Sequence, residues 1–266
     1  MNEKFPLEKD NLWMSEAKIV DLLCDWKDLR GKFDLKHLTD FLTPAVDLDN
    51  FLNIKGIYIA KNTLREKLGF AKGNKPGDFD LLIIPYDEES ILFETTICIE
   101  IKIVRPTRKK PDKNADSLGI TQVKGLIIDG FPIVGLMHIS MTEPLLEDEK
   151  LDIDYHTQPL DVDNLLNNTG FVESKIKVKH DHFSWFSADK QMKRLISQDI
   201  PKYVGIGCLG LDYSKNGRYS LNSCSRELSG FQNGYFNPHK LDSTVEKVKT
   251  HFLKHRETYL TRNLRD

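Results

Sequence analysis

Two short apolar runs joined by an acidic turn constrain the fold of this chain more than any other feature. Residues 79–84 read FDLLII and residues 97–103 read ICIEIKI. Branched apolar residues bounded by Pro, Gly, Asp and Ser are typical of β-strands. Because successive side chains of a strand point to opposite faces, Glu100 and Lys102 are predicted to share one face of a core strand, and the isoleucines the other.

Two further carboxylates lie at the start of the first run. Asp80 begins the run and Asp78 precedes it by two residues. A buried charge is costly unless it is paired or holds a metal ion. Two acids and a lysine that converge at the end of a sheet can support Mg²⁺-assisted phosphate chemistry, since the acids supply oxygen ligands and the lysine orients a water molecule or neutralises a phosphate.

Composition narrows the class of protein. The chain has 266 residues, of which 39% are hydrophobic and 29% charged, and its formal net charge is -2. Such a composition is typical of a globular protein, and any contact with nucleic acid must come from a local basic patch. No signal peptide or membrane-spanning run is apparent, so we expect a soluble cytoplasmic protein with no membrane partner. Wide spacing of the four cysteines argues against a zinc ribbon or a disulfide-rich scaffold: Cys24, Cys98, Cys208 and Cys224.

Hydrophobic periodicity predicts an α/β fold. We expect a helical N-terminal segment over residues 1–53, a core over residues 54–142, and an α+β C-terminal extension over residues 143–266 that packs on the core or extends its sheet. A helix between two buried strands makes a crossover unit. The predicted core elements are a strand at 54–60, a short helix at 62–68, the two strands above, a helix from Asp116 or Ser117 to Asp129, and a strand at 131–140.

Glu66 has two interpretations. Thr63 and Glu66 have the spacing of a capping box, in which the glutamate reaches back to the start of its helix. Glu66 is equally well placed along the chain to add a carboxylate to the predicted site, and the two roles are compatible.

A basic loop follows the second strand. A run of charge is usually a solvated loop. This loop nevertheless leaves the sheet beside Glu100 and Lys102, where a phosphate backbone would need neutralising. Its candidate substrate-binding residues are Arg105, Arg108, Lys109 and Lys110.

The pattern of Asp80, a spacer and Glu100-Ile101-Lys102 resembles the PD-(D/E)XK, or restriction-endonuclease-like, nuclease superfamily. The resemblance covers roughly residues 55–140 and implies an αβββαβ core, a mixed sheet flanked by helices. It implies that Asp80 and Glu100 bind Mg²⁺, for which Mn²⁺ can substitute. It further implies that Ile101 lends its carbonyl oxygen to the metal and that Lys102 positions the attacking water.

The same resemblance assigns assisting roles to residues on two helices. Glu66 matches a glutamate that often completes the metal site, and Gln122 and Lys124 match polar residues of the following helix. One departure is the family's Pro-Asp pair, which is spread here over residues 76–80, so Asp78 and Asp80 both remain candidates, with Asp80 favoured because it directly begins the apolar run.

The resemblance implies a Mg²⁺-dependent DNA endonuclease of the restriction, phage-defence or DNA-repair type that acts on duplex DNA and leaves a 5′-phosphate. Cutting both strands would favour a homodimer. The alternative is a non-catalytic nucleic-acid-binding or assembly subunit with a nuclease-like fold, which has no need of the Asp80, Glu100 and Lys102 trio. A third interpretation makes Glu100 and Lys102 an ordinary ion pair and Asp80 a turn residue whose side chain lies elsewhere.

Overall fold

Branched apolar residues build a seven-stranded mixed sheet at the centre of the protein. The computed structural model describes residues 14–25, 42, 54–72, 77–115, 117–157, 174–213, 219–223 and 232–264. The strands are β1 Gly56–Thr63, β2 Phe79–Tyr86, β3 Ile97–Val104, β4 Ile133–Ser140, β5 Leu151–Thr157, β6 Ser174–His180, β7 Gly205–Tyr213, β8 Tyr219–Ser223 and β9 Leu260–Asn263. The α-helices are α1 Glu16–Cys24, α2 Ile120–Ile128, α3 Phe183–Ile196 and α4 Asp242–His255, and short 3₁₀ helices span Arg65–Leu68, Phe93–Thr95 and Arg256–Thr258.

The strand order of the main sheet is β8-β7-β4-β3-β2-β1-β9. The adjacent strands β3, β4 and β7 run parallel, and the remaining neighbours pair antiparallel. Helix α2 connects β3 to β4, which is the crossover that a parallel pair requires. Strands β5 and β6 form a separate two-stranded antiparallel sheet. The prediction of a mixed α/β fold is confirmed.

The period-two pattern of the strands separates two apolar cores, one on each face of the sheet. On one face, Ile99 and Ile101 pack with α1 residues such as Ile19. On the other face, Leu82 and Cys98 pack with residues of α2, α3 and α4. Every residue of β4 is buried, as expected for a parallel strand covered on both faces.

Helix α1 begins where the sequence supplies a cap. The Ser15 hydroxyl oxygen accepts a hydrogen bond from the backbone N–H of Lys18 at 3.2 Å, which satisfies one of the unpaired donors of the first turn. Glu16, the first helical residue, is an acid in the first turn, where the helix dipole favours negative charge.

The capping box predicted at Thr63 is wrong. Thr63 is the last residue of β1, and the residue before the 3₁₀ helix is Leu64, which makes no side-chain cap. The helix after the basic loop also begins later than predicted, because Gly119 precedes Ile120 in the left-handed conformation, with φ at 71°. Ser117 instead accepts a hydrogen bond from the N–H of Gly119, and Asp116 lies outside the described residues.

The C-terminal third adds strands to both edges of the sheet. Strand β7 and its neighbour β8 extend it beyond β4, and β9 pairs with β1 at the opposite edge. Strand β8 belongs to the C-terminal extension, for which an α+β structure was predicted. The predicted helical N-terminal segment is described only at 14–25 and 42, where it includes α1, and the rest of it lies outside the described residues. Within the described part of the chain, no helix is long and apolar enough to cross a bilayer.

Candidate functional site

The candidate site lies where the pairing of β2 with β3 ends. Leu81 pairs with Ile99, so the next positions along this antiparallel register are Asp80 and Glu100, on the same face of the sheet. Here the Ile101 N–H donates its hydrogen bond to the Asp80 carboxylate, 2.7 Å away, and not to a backbone carbonyl of β2. The two acids that are 20 residues apart in sequence are therefore neighbours in the fold.

Lys102 closes the cluster. Its Nζ lies 2.6 Å from Oε1 of Glu100 and 3.0 Å from the carbonyl oxygen of Ile101. It also lies 3.6 Å from Oε1 of Glu16, at the start of α1. Strand alternation places the lysine on the same face as Glu100. The third carboxylate, that of Glu16, comes from a helix far away in the sequence.

Asp78 and Asp80 have different partners. One carboxylate oxygen of Asp78 accepts a hydrogen bond from the backbone N–H of Arg65 at 3.3 Å, which satisfies a donor at the start of the 3₁₀ helix. Asp80 reaches the backbone between Glu100 and Lys102. Of the two candidates, the structure therefore brings Asp80 to the cluster.

Burial and mutual repulsion dominate the electrostatics of the two strand acids. Burial and the charge of Asp80 together raise the pKa of Glu100 to about 7, against the opposing attraction of Lys102. Burial likewise raises the pKa of Asp80 to about 6, although the Ile101 N–H and Lys102 pull it down. Both carboxyls therefore lack sufficient positive charge nearby, since an ionised acid is favoured by adjacent cations.

The pKa of Lys102 is also raised, but here the cause is the surrounding carboxylates and not burial. Burial alone would lower its pKa, but Glu100, Glu16 and Asp80 outweigh that effect and raise the pKa above its ordinary value. With all four groups ionised, three carboxylates face one ammonium, which leaves an excess of two negative charges. This excess equals the charge of one divalent cation.

The donor set suits a hard cation bound largely through water. The available oxygens are the carboxylates of Asp80 and Glu100 and the carbonyl of Ile101. Among the residues that the structure describes, no group of three or more His, Cys, Asp or Glu side chains could hold a metal ion. Mg²⁺ is commonly held by one or two carboxylates while it keeps several waters, so the oxygens present fit that ion.

Glu66 lies away from these contacts. Its carboxylate is 43% exposed and pairs with Lys72 at 3.5 Å. The glutamate that reaches Lys102 is Glu16, which sequence analysis did not select. The available signal was weak: a serine cap followed by an acid, which many helices have for structural reasons alone.

Gly119 forms one wall of the cluster. A Cβ atom at this position would lie 3.3 Å from Cγ of Lys102, 3.5 Å from Cγ of Glu100 and 2.8 Å from Cδ1 of Leu136. Its φ of 71° is also a conformation that residues with a Cβ rarely adopt. The backbone conformation therefore favours glycine here, and a Cβ atom would in addition push the end of the Leu136 side chain aside.

His138 stands beside Lys102 on the neighbouring strand β4. Its side chain is buried, and its Nε2–H donates to the carbonyl of Leu118, 3.2 Å away. Burial lowers the pKa of His138 to about 4, and the positive charge of Lys102 acts in the same direction. A neutral histidine thus holds the residue that precedes Gly119. The sequence signal for it was a titratable residue within an otherwise apolar run, residues 133–139.

The basic loop divides into two parts. Arg105 donates to the backbone carbonyl of Met14, just before α1. Arg108 pairs with Glu143 at 3.3 Å and with Glu149 at 3.8 Å. These two arginines therefore make contacts within the protein.

Two lysines follow Arg108 in the basic loop. Lys109 and Lys110 are exposed on a tight turn in which the N–H of Lys110 donates to the carbonyl of Thr107 at 2.9 Å. Arg108 is exposed as well, but its guanidinium already pairs with Glu143 and Glu149.

The helix that follows contributes one nearby candidate. Gln122 is half-buried in the first turn of α2, close in sequence to Gly119. Lys124 is exposed, and its ammonium lies 4.0 Å from the carboxylate of Asp199. Gln122 thus lies near Gly119 along the chain, whereas Lys124 lies beside Asp199.

Comparisons with protein-family models, with curated proteins and with solved structures find no match to this chain. A functional proposal must therefore be based on the geometry and electrostatics of the cluster.

Proposed function

We propose that this protein is a Mg²⁺-dependent DNA endonuclease with a restriction-endonuclease-like core. The core would comprise α1, β1, β2, β3, α2 and β4, in the order helix, three strands, helix, strand. The single observation that carries the proposal is the meeting of Asp80, Glu100 and Lys102 at the end of the β2–β3 pairing. A binding module needs no such trio, whereas phosphodiester hydrolysis uses each member.

Each residue would have a distinct role. Asp80 and Glu100, with the carbonyl oxygen of Ile101, would hold the metal ion. Mg²⁺, when bound, would supply a coordinated water of lowered pKa and neutralise charge on the phosphate. The ammonium of Lys102 would hold the attacking water and stabilise the charge that develops on the phosphate oxygens. In such a reaction the water oxygen would bond to the phosphorus and the P–O3′ bond would break. The products would be a 5′-phosphate and a 3′-hydroxyl, the leaving oxygen taking up a proton.

The glutamate that assists the site would be Glu16 in place of Glu66. Glu16 contacts Lys102 at 3.6 Å, while Glu66 pairs with Lys72 near the surface. Glu16 adds negative charge to the cluster and thereby favours both the ammonium and a divalent cation. We expect loss of Glu16 to impair the reaction more than loss of Glu66.

Lys109 and Lys110 would contact the DNA backbone. Their loop begins at Arg105, three residues after Lys102, and both side chains are exposed. Contacts of this kind position the substrate without reading its sequence. We further propose duplex DNA as the substrate and a homodimer as the form that cuts both strands.

Cleavage assays test the proposal directly. Supercoiled plasmid, linear duplex, single-stranded DNA and RNA would each be incubated with the protein in Mg²⁺ or in EDTA. We expect cleavage of duplex DNA in Mg²⁺ and none in EDTA. We expect Lys102→Ala and Asp80→Asn to reduce the rate by about a hundredfold or more, as for the loss of a group that stabilises a transition state.

Asp78→Asn is the matched control for Asp80→Asn. Both variants remove one carboxylate charge within three residues of chain, but Asp78 contacts the backbone of Arg65 and not the cluster. Asp78→Asn should therefore retain most of the activity. Equal activity of Asp80→Asn and Asp78→Asn would refute the assigned role of Asp80. Cleavage of RNA but of none of the DNA substrates would show that the substrate is RNA.

A non-catalytic nucleic-acid-binding or assembly role is the second candidate. The observation that favours it is the exposed pair Lys109 and Lys110, which can contact a phosphate backbone without any metal. A third interpretation treats the 2.6 Å contact between Glu100 and Lys102 as an ordinary ion pair. A folded binding module would bind DNA in a gel-shift assay without cleaving any of the four substrates. Equal binding with Mg²⁺ and with EDTA would then identify the module as metal-independent.

A further inference from the structure

We infer that Lys102 is an internal counter-cation, held on the same oxygen atoms that the metal ion uses and displaced when the ion binds. This inference rests on the proposed function, since it concerns the metal ion of that site. Two of the three oxygens that lie around Nζ, those of Glu100 and Ile101, are proposed ligands of the metal ion. The third belongs to Glu16.

The geometry leaves little room for both cations. An ammonium group has three N–H donors, and three oxygens lie at 2.6, 3.0 and 3.6 Å from Nζ. Mg²⁺ binds its ligands at about 2.0–2.1 Å and demands near-octahedral geometry. An ion that binds the carboxylate of Glu100 and the carbonyl oxygen of Ile101 therefore lies within a few ångströms of Nζ, shares its oxygen partners and repels its charge.

Glu16 offers the displaced ammonium a second partner. Its carboxylate is 35% exposed, compared with 5% for Glu100, so it lies on the solvent side of the cluster. The lysine is thus released from the strand acid only when a metal ion replaces it. This exchange would partly offset the charge of the buried acids before metal binding and would free the ammonium for water and phosphate afterwards.

Removing the competing charge should tighten metal binding. At an effective dielectric constant near 20, two unit charges about 4 Å apart interact by several times the thermal energy. Partial exposure and the movement of the lysine reduce this effect. We therefore expect Lys102→Met to bind Mn²⁺ about tenfold more tightly than the wild type, even though the same variant loses cleavage.

The matched control is Lys61→Met. Lys61 is also a half-buried lysine in an ion pair, at 2.6 Å from Asp21 of α1, and its side chain is 23% exposed. It makes no contact with the three oxygens around Lys102. Lys61→Met should bind Mn²⁺ with the wild-type affinity, and Glu100→Gln should bind it more weakly than either.

Titration calorimetry with Mn²⁺ at about pH 8 measures the four affinities without any use of cleavage. If the wild type binds Mn²⁺ and Lys102→Met binds it equally or more weakly, the inference is overturned while the nuclease proposal stands. If neither protein binds Mn²⁺, the metal site and the inference are both overturned. Thermal unfolding with Mn²⁺ gives a second readout, since metal binding should raise the Tm of Lys102→Met more than that of the wild type.

A measurement on the wild-type protein keeps the inference testable if Lys102→Met does not fold. Side-chain ¹⁵N labelling of lysine reports each ammonium separately, and Mg²⁺ is diamagnetic. Addition of Mg²⁺ should shift the Nζ resonance of Lys102 and leave that of Lys61 unchanged. An unchanged Lys102 resonance in protein that binds Mg²⁺ would overturn the inference.

Discussion

Replacing Glu100 by glutamine should stabilise the metal-free protein at neutral and alkaline pH. Glu100 is 4% exposed and faces Asp80 on β2, Lys102 on its own strand and Glu16 on α1. Burial and the charge of Asp80 raise its pKa from 4.5 to about 7. Glutamine has the same shape, can still accept a hydrogen bond from Lys102, and carries no charge at any pH.

The magnitude follows from linkage between protonation and folding. Because the pKa of this acid is higher in the folded protein than in the unfolded chain, the folded state binds the proton more tightly. Below about pH 4.5 the carboxyl is protonated in both states and costs nothing. Between about pH 4.5 and 7 the cost of ionising it in the folded protein grows, and above that range it reaches about 3 kcal/mol.

Urea unfolding in EDTA measures this difference. The free energy of unfolding of Glu100→Gln should match that of the wild type near pH 4 and exceed it by up to about 3 kcal/mol near pH 8. A gap that is constant across this range, or that favours the wild type increasingly as the pH rises, would refute the reasoning.

Glu143→Gln is a control of opposite sign. The backbone N–H and the guanidinium of Arg108 lower the pKa of Glu143, so its ionised form stabilises the folded protein at neutral pH. That stability is lost as the pH falls through the lowered pKa. Glu143→Gln should therefore be less stable than the wild type near neutral pH, and the gap should close in acid.

Three other predictions concern the surroundings of the cluster. Burial lowers the pKa of His138 to about 4. The free energy of unfolding should therefore be unaffected by this histidine above about pH 6.5 and should fall by up to about 3 kcal/mol as the pH drops to 4. His138→Leu should remove this acid dependence in urea unfolding. Gly119→Ala should cost at least about 1 kcal/mol, because of its positive φ and the 2.8 Å approach to Leu136, and should slow cleavage. Replacing Lys109 and Lys110 by alanine should weaken DNA binding and reduce the slope of log K against log salt by about 2, with no change in Tm.

Local patterns in the sequence were sufficient for the strands that carry the site. Strands predicted at 79–84 and 97–103 are found as β2 Phe79–Tyr86 and β3 Ile97–Val104. Alternation with a period of two also placed Glu100 and Lys102 on one face, because strand geometry leaves no other arrangement. These features depend on residues within one element, so they are readable from the sequence.

Elements that depend on distant pairing were harder to predict. Strand β8 lies in a polar region that has no apolar periodicity, and it is a strand because it pairs with β7 at the edge of the sheet. The capping box at Thr63 failed for a related reason: pairing with Phe79 extends β1 through Thr63, so this residue is not available to begin a helix. In both cases tertiary contacts override the local preference.

The choice among chemically equivalent acids came only from the tertiary structure. The sequence by itself determined that acids of the right kind flank the two strands, but Asp78 and Asp80, like Glu16 and Glu66, are indistinguishable by composition. Asp80 reaches Ile101 because the β2–β3 register ends there, and Glu16 reaches Lys102 because α1 packs across a sheet whose strands begin 40 residues later. Such proximity arises from the path of the chain, and no local periodicity encodes it.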